Sequence, residues 1–233
     1  MTRHELKEQL QHDAFTDNVS GVLRYASLHR EKLTRWMIAA GAVLILVGIV
    51  LWYSSYRREQ RRNDLQAAFA VYEAPVATGT SGVGKSFATQ DEKNKASVKA
   101  FGEVAAKYSG DEEGLIARYY VGTLKAQAGD AKGAEVDLRA VASSGAECSA
   151  LAKIALSQLL SGQNRQSEAQ TLLREVVNKP TDLVSKAQAQ VLLAQSLEST
   201  NPAEAKKLLQ SLKAPNQSPA VTRAIEQLAS QTK

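Results

Sequence analysis

The sequence has little of the chemistry on which disulfide scaffolds, zinc fingers and most enzymes depend. It contains a single cysteine, Cys148, among 233 residues, so neither an internal disulfide nor a cysteine-rich metal site can form. The three histidines, His4, His12 and His29, all lie near the start of the chain. Because histidine is the commonest general base and transition-metal ligand, the rest of the chain is poorly equipped for catalysis. We therefore expect no enzymatic activity, no cofactor and no metal.

The positive charge is concentrated in one short segment rather than spread over a folded face. The chain carries 29 basic and 24 acidic residues, a net charge of +5. A large part of that excess comes from residues 54–62, which hold one acid, Glu59, and a cluster of four arginines: Arg57, Arg58, Arg61 and Arg62. A nucleic-acid-binding domain shows its basic residues over a folded surface. We therefore do not expect a nucleic acid among the partners.

Residues 36–53 form the longest apolar run, 18 residues without a charged side chain. As a helix this run is about 27 Å long, close to the thickness of a bilayer core, and Trp36, Trp52 and Tyr53 are suited to anchor its ends at the two interfaces. A cleaved signal peptide is the main alternative, but no small-residue cleavage site follows the run. The sequence predicts an uncleaved transmembrane helix whose orientation is not decided by charge, because four basic residues flank each end.

The chain after the apolar run has the composition of an all-α domain. It is rich in Ala, Leu, Gln and Lys and lacks alternating β-branched runs. The segment that begins at Asn201 has an N-cap residue, Pro202 in the first turn and Glu204 at the third helical position, which is typical of a helix start. The predicted helices lie near residues 58–74, 92–108, 113–128, 131–143, 147–161, 165–178, 183–199, 202–213 and 219–231.

These helices form pairs, and the pairs recur. The alanines Ala134, Ala169 and Ala205 occupy matching places in three second helices and are 35 and 36 residues apart. A helix-turn-helix unit of about 34 residues with a small residue at the helix crossing is typical of a tetratricopeptide repeat. In the first repeat, Gly122 is the small residue that packs against Ala134, and Ser157 takes the place of Gly122 in the second repeat. Leu193 falls there in the third unless the loop has grown, so the register is open at that point.

A stack of such pairs presents a concave groove lined by the first helix of each pair. With this register, the polar side chains predicted to line the groove are Tyr119, Thr123, Gln127, Gln158 and Gln190. Such a set suits contacts with a peptide or a protein. Solvation of an outer helix face is the alternative interpretation of the same residues.

One motif points to a different function. Residues 79–86 match the phosphate-binding loop pattern G-x-x-x-x-G-K-[ST], with Gly79, Gly84, Lys85 and Ser86 at its defining positions. A true phosphate loop follows a buried strand, whereas the residues before this segment are predicted to be helical. We therefore interpret the segment as a flexible loop, and a membrane-tethered nucleotide-binding protein remains the alternative function.

The order of a short tail, one span, a basic helix and degenerate repeats around Gly122, Ala134, Ala169 and Ala205 resembles the bacterial ancillary SecYEG translocon subunit family. The resemblance implies a single-pass inner-membrane protein with a cytoplasmic tail at 1–35, a transmembrane helix at 36–53 and a periplasmic repeat domain at 54–233. It also implies a noncatalytic role in handing over translocated polypeptides. The implied partners are translocon subunits and a membrane-anchored peptidyl-prolyl isomerase, and a scaffold of another envelope complex is the alternative within the same class.

Overall fold

The computed structural model describes residues 30–76 and 86–212, and helices account for most of these residues. Apart from helices and turns, this part of the chain has only an isolated bridge between Val76 and Phe87. The all-α prediction is confirmed. The helices are α1 (Arg30–Glu73), α2 (Gln90–Lys107), α3 (Glu112–Gln127), α4 (Ala131–Ala142), α5 (Ser149–Gly162), α6 (Gln166–Asn178), α7 (Lys186–Leu197) and α8 (Pro202–Ser211).

Seven of the predicted helices correspond to α2–α8 with small shifts at their ends, but the predicted start of the first at residue 58 was wrong. Helix α1 instead runs unbroken for 44 residues from Arg30. Residues 54–57 contain neither proline nor glycine, so nothing in that segment ends a helix. The hydroxyl of Ser54 donates to the carbonyl oxygen of Leu51 at 2.9 Å, a bond within the helix. The predicted helix at 219–231 lies outside the described residues.

Local capping explains several helix starts. The predicted start at Asn201 is confirmed, because its side-chain oxygen accepts from the backbone N–H of Glu204 at 3.2 Å and Pro202 follows in the first turn. Three further N-cap side chains accept a backbone N–H in the same way, those of Thr89, Asp130 and Ser185. Each cap satisfies one of the N–H groups that the first turn of a helix leaves without a partner.

The chain divides into two compact units, Met1–Arg58 and Glu59–Lys233. In the first unit the apolar side chains of α1 lie on its surface on every side, and Leu44 and Trp52 are both 71% exposed. Within the described chain, α1 is the one helix long and apolar enough to cross a membrane. An apolar surface of this extent is unfavourable in water.

The second unit is a linear stack. Within the series from α2 to α8, each pair of consecutive helices packs together, and α3 also contacts α5. The core is formed where these neighbours meet, and its large side chains are almost completely buried. Among them are Phe101, Leu138, Leu156, Val176 and Leu197. Contacts between sequence neighbours are the mark of a helical-repeat architecture.

The repeat spacing is visible in the buried alanines and in the turns. Ala134, Ala169 and Ala205 are each at most 2% exposed, as their place at a helix crossing requires. The turns from α3 to α4 and from α5 to α6 each contain a residue with a left-handed backbone, Gly129 with φ of 83° and Asn164 with φ of 62°. These two residues are 35 positions apart, so the turn repeats with the same period as the alanines.

The small residue predicted at the helix crossing is present in the first two pairs and missing from the third. Gly122 is buried, and a Cβ atom built on it would lie 2.8 Å from Leu138 Cγ, so the two helices approach closely there. Ser157 is also buried, and its hydroxyl donates to the Ile154 carbonyl oxygen at 2.7 Å. The turn from α7 to α8 has one residue more than the earlier two, so either Leu192 or Leu193 takes this place.

Candidate interaction surface

The five residues predicted to line the groove lie on the first helices of three pairs, α3, α5 and α7. Gln127 and Gln158 are exposed, whereas Thr123 and Gln190 are partly buried. The Thr123 hydroxyl donates to the carbonyl oxygen of Tyr120 at 3.0 Å, so its hydrogen is already used within α3. No hydrogen bond or ring contact within the described chain joins any two of the five, so their role as one surface stays a prediction.

Tyr119 contributes to the core as well as to the surface. Its partly buried ring packs against a cluster that includes Leu138, Cys148 and Leu156, and it contacts the Tyr120 ring edge-on at 5.4 Å. Burial, together with the neighbouring tyrosines, raises the pKa of the Tyr119 hydroxyl. The hydroxyl is therefore neutral at physiological pH and available for neutral hydrogen bonds.

The repeat domain contains an aromatic cluster that was not predicted from the sequence. It consists of Phe69 and Tyr72 of α1, Phe101 of α2, and Tyr119 and Tyr120 of α3. Phe101 is completely buried at its centre, stacked on Tyr120 at 4.9 Å and edge-on to Phe69 at 5.2 Å. Tyr72 lies edge-on to Tyr120 at 5.7 Å. The available signals were the spacing of Phe69 and Tyr72, which share a helix face, and the adjacent tyrosines of α3. The four outer rings are partly exposed and form an amphipathic patch.

Ion pairs connect the second helices of successive pairs in a repeating pattern. Arg139 of α4 pairs with Glu168 of α6 at 3.1 Å, and Arg174 of α6 pairs with Glu204 of α8 at 3.0 Å. Each arginine lies five positions after the buried alanine of its own helix, and each glutamate lies one position before the buried alanine of the next second helix. Arg165 adds a bond to Glu135 of α4 at 2.8 Å. The pattern supports the register deduced from the alanines.

The pKa of Glu168 makes the pairing between repeats sensitive to acid. Hydrogen bonds from Arg165 and then from Arg139 lower this pKa to about 2. Because the carboxyl has an ordinary pKa when the chain is unfolded, the stabilisation is present above about pH 4.5 and is lost as the pH falls towards 2. We expect Glu168→Gln to lower the melting temperature slightly at pH 7 and to reduce its fall between pH 5 and pH 2. Circular dichroism melts in low salt measure both effects.

A matched control for this variant is Glu103→Gln. Glu103 is an exposed glutamate of α2 that forms no ion pair within the described residues. Its replacement should leave the acid-induced fall in melting temperature unchanged. An equal change in both variants would show that net charge, rather than the pairing of Glu168, determines the response. The difference between them should also shrink in high salt, since the groups are exposed and screened.

A cleft in the repeat domain lies away from the residues that were predicted to line a groove. A cleft of about 710 Å³ opens between the end of α4, helix α5 and the end of α6. Its floor includes Ala150 and Val176, and Lys153 and Glu175 pair across its wall at 2.7 Å. None of the five predicted groove residues lines it.

The glycine-rich segment lies in a helical context. Gly79, Gly84 and Lys85 fall outside the described residues, and Ser86 is exposed. Helix α1 ends at Glu73, just before Pro75, and the Phe87 N–H donates to the Pro75 carbonyl oxygen at 3.1 Å. The described residues before the segment therefore form a helix rather than the buried strand that a phosphate-binding loop requires.

Catalytic and metal-binding constellations are not evident in the part of the chain that the structure covers. Its His, Cys, Asp and Glu side chains form no group of three that could hold a metal ion. Cys148 is buried, and burial raises the pKa of its thiol, which disfavours the reactive thiolate. Asp137 is nearly buried but is held by Arg118 at 3.0 Å and Lys125 at 2.7 Å, which gives it a role in packing α4 on α3.

Two of the three predicted membrane anchors are described with their side chains, and both lie at the C-terminal end of the apolar segment. Trp52 is 71% exposed and Tyr53 is 54% exposed. The Trp52 ring stacks on Tyr56 at 6.2 Å, one helical turn further on. The side chain of Trp36 lies outside the described set. Their function as anchors stays a prediction.

Stacked helix pairs with a period of about 35 residues define the second unit as a helical-repeat domain. A comparison with protein families supports this architecture. The tetratricopeptide repeat-like domain family matches residues 34–182, more than half of the chain. The protein belongs to this family of tetratricopeptide repeat-like proteins, whose domains are generally noncatalytic modules for protein interaction. Searches of curated proteins and of solved structures gave no match.

Proposed function

We propose that the protein is a noncatalytic, membrane-anchored module that binds other proteins through its repeat domain. The observation that carries this proposal is the combination, in one chain, of a repeat stack of the tetratricopeptide type with a helix whose apolar surface is exposed. The stack has a packed core of its own, so its exposed faces are free for partners. The apolar helix is suited to hold that stack at a bilayer.

The proposed partner surface comprises Tyr119, Thr123, Gln127, Gln158 and Gln190 together with the outer rings of the aromatic cluster. Tyrosine combines a large apolar ring with a hydroxyl and loses little side-chain entropy on binding, which suits it to protein interfaces. Glutamines add donors and acceptors that adapt to different backbones. Such a surface fits extended polypeptides of varied sequence better than one fixed small ligand.

The proposed cellular role is that of an ancillary subunit of the protein-export translocon. It rests on the resemblance of the chain order and repeat positions to that family. In this proposal residues 1–35 form a cytoplasmic tail, residues 36–53 cross the inner membrane, and residues 54–233 form a periplasmic domain. The partners are translocon subunits and a membrane-anchored peptidyl-prolyl isomerase, and the clients are polypeptides emerging from the translocon.

Site-specific crosslinking in intact cells tests the surface and the partner together. A photoreactive amino acid at Gln158 is expected to give adducts with translocon subunits, the isomerase or a translocating chain, identified by mass spectrometry. The matched control is Val136 on the second helix α4, which is 63% exposed and outside the proposed surface. Equal adducts from both positions would contradict the surface. Adducts confined to another envelope complex would contradict the translocon role and favour the scaffold alternative.

Protease protection tests the orientation. Protease added to spheroplasts is expected to degrade the repeat domain while leaving the tail at 1–35 attached to the membrane. Immunoblots with one epitope at each end report the two regions, and a cytoplasmic protein checks that the inner membrane stays sealed. Protection of the repeat domain in sealed spheroplasts would overturn the periplasmic assignment.

A further inference from the structure

The arginines that follow the apolar segment differ in whether they have acidic partners. Arg61, in the second unit, pairs with Asp111 at 3.2 Å and with Glu113 at 3.1 Å. Arg57 and Arg58, in the first unit, are exposed and form no ion pair with any residue that the structure describes. Two exposed guanidinium groups without an ion pair to a described residue therefore lie at the C-terminal end of the apolar segment, and the exposed Arg62, also without such an ion pair, lies one turn further along α1.

Aromatic side chains accompany these two arginines. The guanidinium of Arg57 lies over the ring of Tyr53, with its central carbon 5.8 Å from the ring centroid. The rings of Trp52 and Tyr56, each one residue earlier in the sequence than Tyr53 and Arg57, stack with their planes 23° apart. We name these five residues, Trp52, Tyr53, Tyr56, Arg57 and Arg58, the arginine–aromatic collar. All five are exposed and lie within two turns of α1.

The chemistry of the collar matches that of a lipid headgroup. Tryptophan and tyrosine lie at the headgroup level when a helix spans a bilayer. Arg57 follows Tyr53 by four residues, about 6 Å along the helix, so its guanidinium reaches the level of the lipid phosphates. The planar guanidinium binds phosphate oxygens through two parallel N–H donors.

We propose that the arginine–aromatic collar is a binding site for anionic phospholipids, whose phosphates bind Arg57 and Arg58 in the leaflet at that end of the span. The inference rests on the membrane-spanning part of the proposed function and on neither orientation of the chain. The proposed role in lipid binding does not follow from the number of flanking basic residues, because four of them lie on each side of the apolar segment. Neutral phospholipids lack the net charge that two unpaired arginines attract.

The composition of the lipids around the full-length protein tests this proposal. The protein is reconstituted in nanodiscs of equal phosphatidylethanolamine and phosphatidylglycerol, transferred to mild detergent, and its retained lipids are quantified by mass spectrometry. Each arginine is expected to raise the affinity for an anionic lipid about fivefold, which predicts a clear enrichment of phosphatidylglycerol in the wild type. The R57Q/R58Q variant is expected to retain the two lipids in nearly the bulk ratio, and R57K/R58K to keep much of the enrichment because the charge remains.

The matched control is K206Q/K207Q, which removes two adjacent exposed cations from α8. It should retain the wild-type enrichment. Enrichment that persists in R57Q/R58Q, or that falls equally in K206Q/K207Q, would overturn the proposal. Extraction of the wild type by alkaline carbonate shows whether a negative result contradicts the membrane span or only the lipid-binding site. A protein released by carbonate would contradict the span itself, whereas an integral protein with bulk lipid ratios would contradict the collar alone.

Discussion

Replacing Phe101 by alanine is expected to lower the free energy of unfolding of the repeat domain by about 3–5 kcal/mol. Phe101 is completely buried, and its ring contacts those of Phe69, Tyr72 and Tyr120, which come from the helices on either side of α2. Truncation leaves a cavity between three helices. Their backbones are each held by other contacts, so the cavity can close only partly.

Urea titration of the full-length protein in a fixed detergent, followed by helical circular dichroism, measures this loss. Tryptophan fluorescence is unsuitable, because both tryptophans belong to the apolar segment rather than to the repeat domain. Phe101→Leu is the control and should cost less, since leucine fills much of the same volume. A loss below about 1 kcal/mol for alanine would show that the aromatic cluster does not hold α1, α2 and α3 together.

Gly122→Val is expected to destabilise the same domain by about 2–3 kcal/mol, because the site has no room for a side chain. Even a Cβ atom at Gly122 would approach Leu138 Cγ to 2.8 Å and Asp137 Cβ to 3.4 Å. Leu138 is itself 1% exposed and has little freedom to move away. The expected response is a separation of α3 from α4, which would also strain the ion pairs of Asp137 with Arg118 and Lys125.

The matched control uses the same substitution at Gly102, a glycine of α2. No atom outside its own helix lies within 4 Å of the place that its Cβ would occupy. Gly102→Val should therefore change the unfolding free energy by no more than about 0.5 kcal/mol, since valine has a somewhat higher helix propensity than glycine. Both variants are measured by the same urea titration. Equal destabilisation would mean that crowding against Leu138 is not the cause.

The features that could be predicted from sequence are those encoded by neighbouring residues or by a repeated period. The cap at Asn201 depends on residues within four successive positions, and the buried alanines Ala134, Ala169 and Ala205 are recognisable by their spacing. The predicted helix start at residue 58 was wrong. Proline marks where α1 ends, but no residue type marks the point where an apolar, membrane-type segment continues into a soluble segment of the same helix.

The aromatic cluster and the ion pairs could not be predicted in the same way. Phe69, Phe101 and Tyr120 are separated by tens of residues, and their contact depends on how α1, α2 and α3 turn about their own axes. The pairing of Arg139 with Glu168 likewise requires knowledge of which helix faces meet. The groove residues share this dependence: Tyr119 proved to be partly a core residue, a role that its position on α3 does not reveal.

The linear order of contacts in the second unit bears on how such a protein can change over evolutionary time. Consecutive helices from α2 to α8 pack together, with the added contact of α3 and α5. Duplication or deletion of one whole pair would therefore rejoin surfaces of the same kind, with the arginine of one second helix meeting the glutamate of the next. The reach of the binding face can thus lengthen or shorten in steps of one pair, without the invention of a new core.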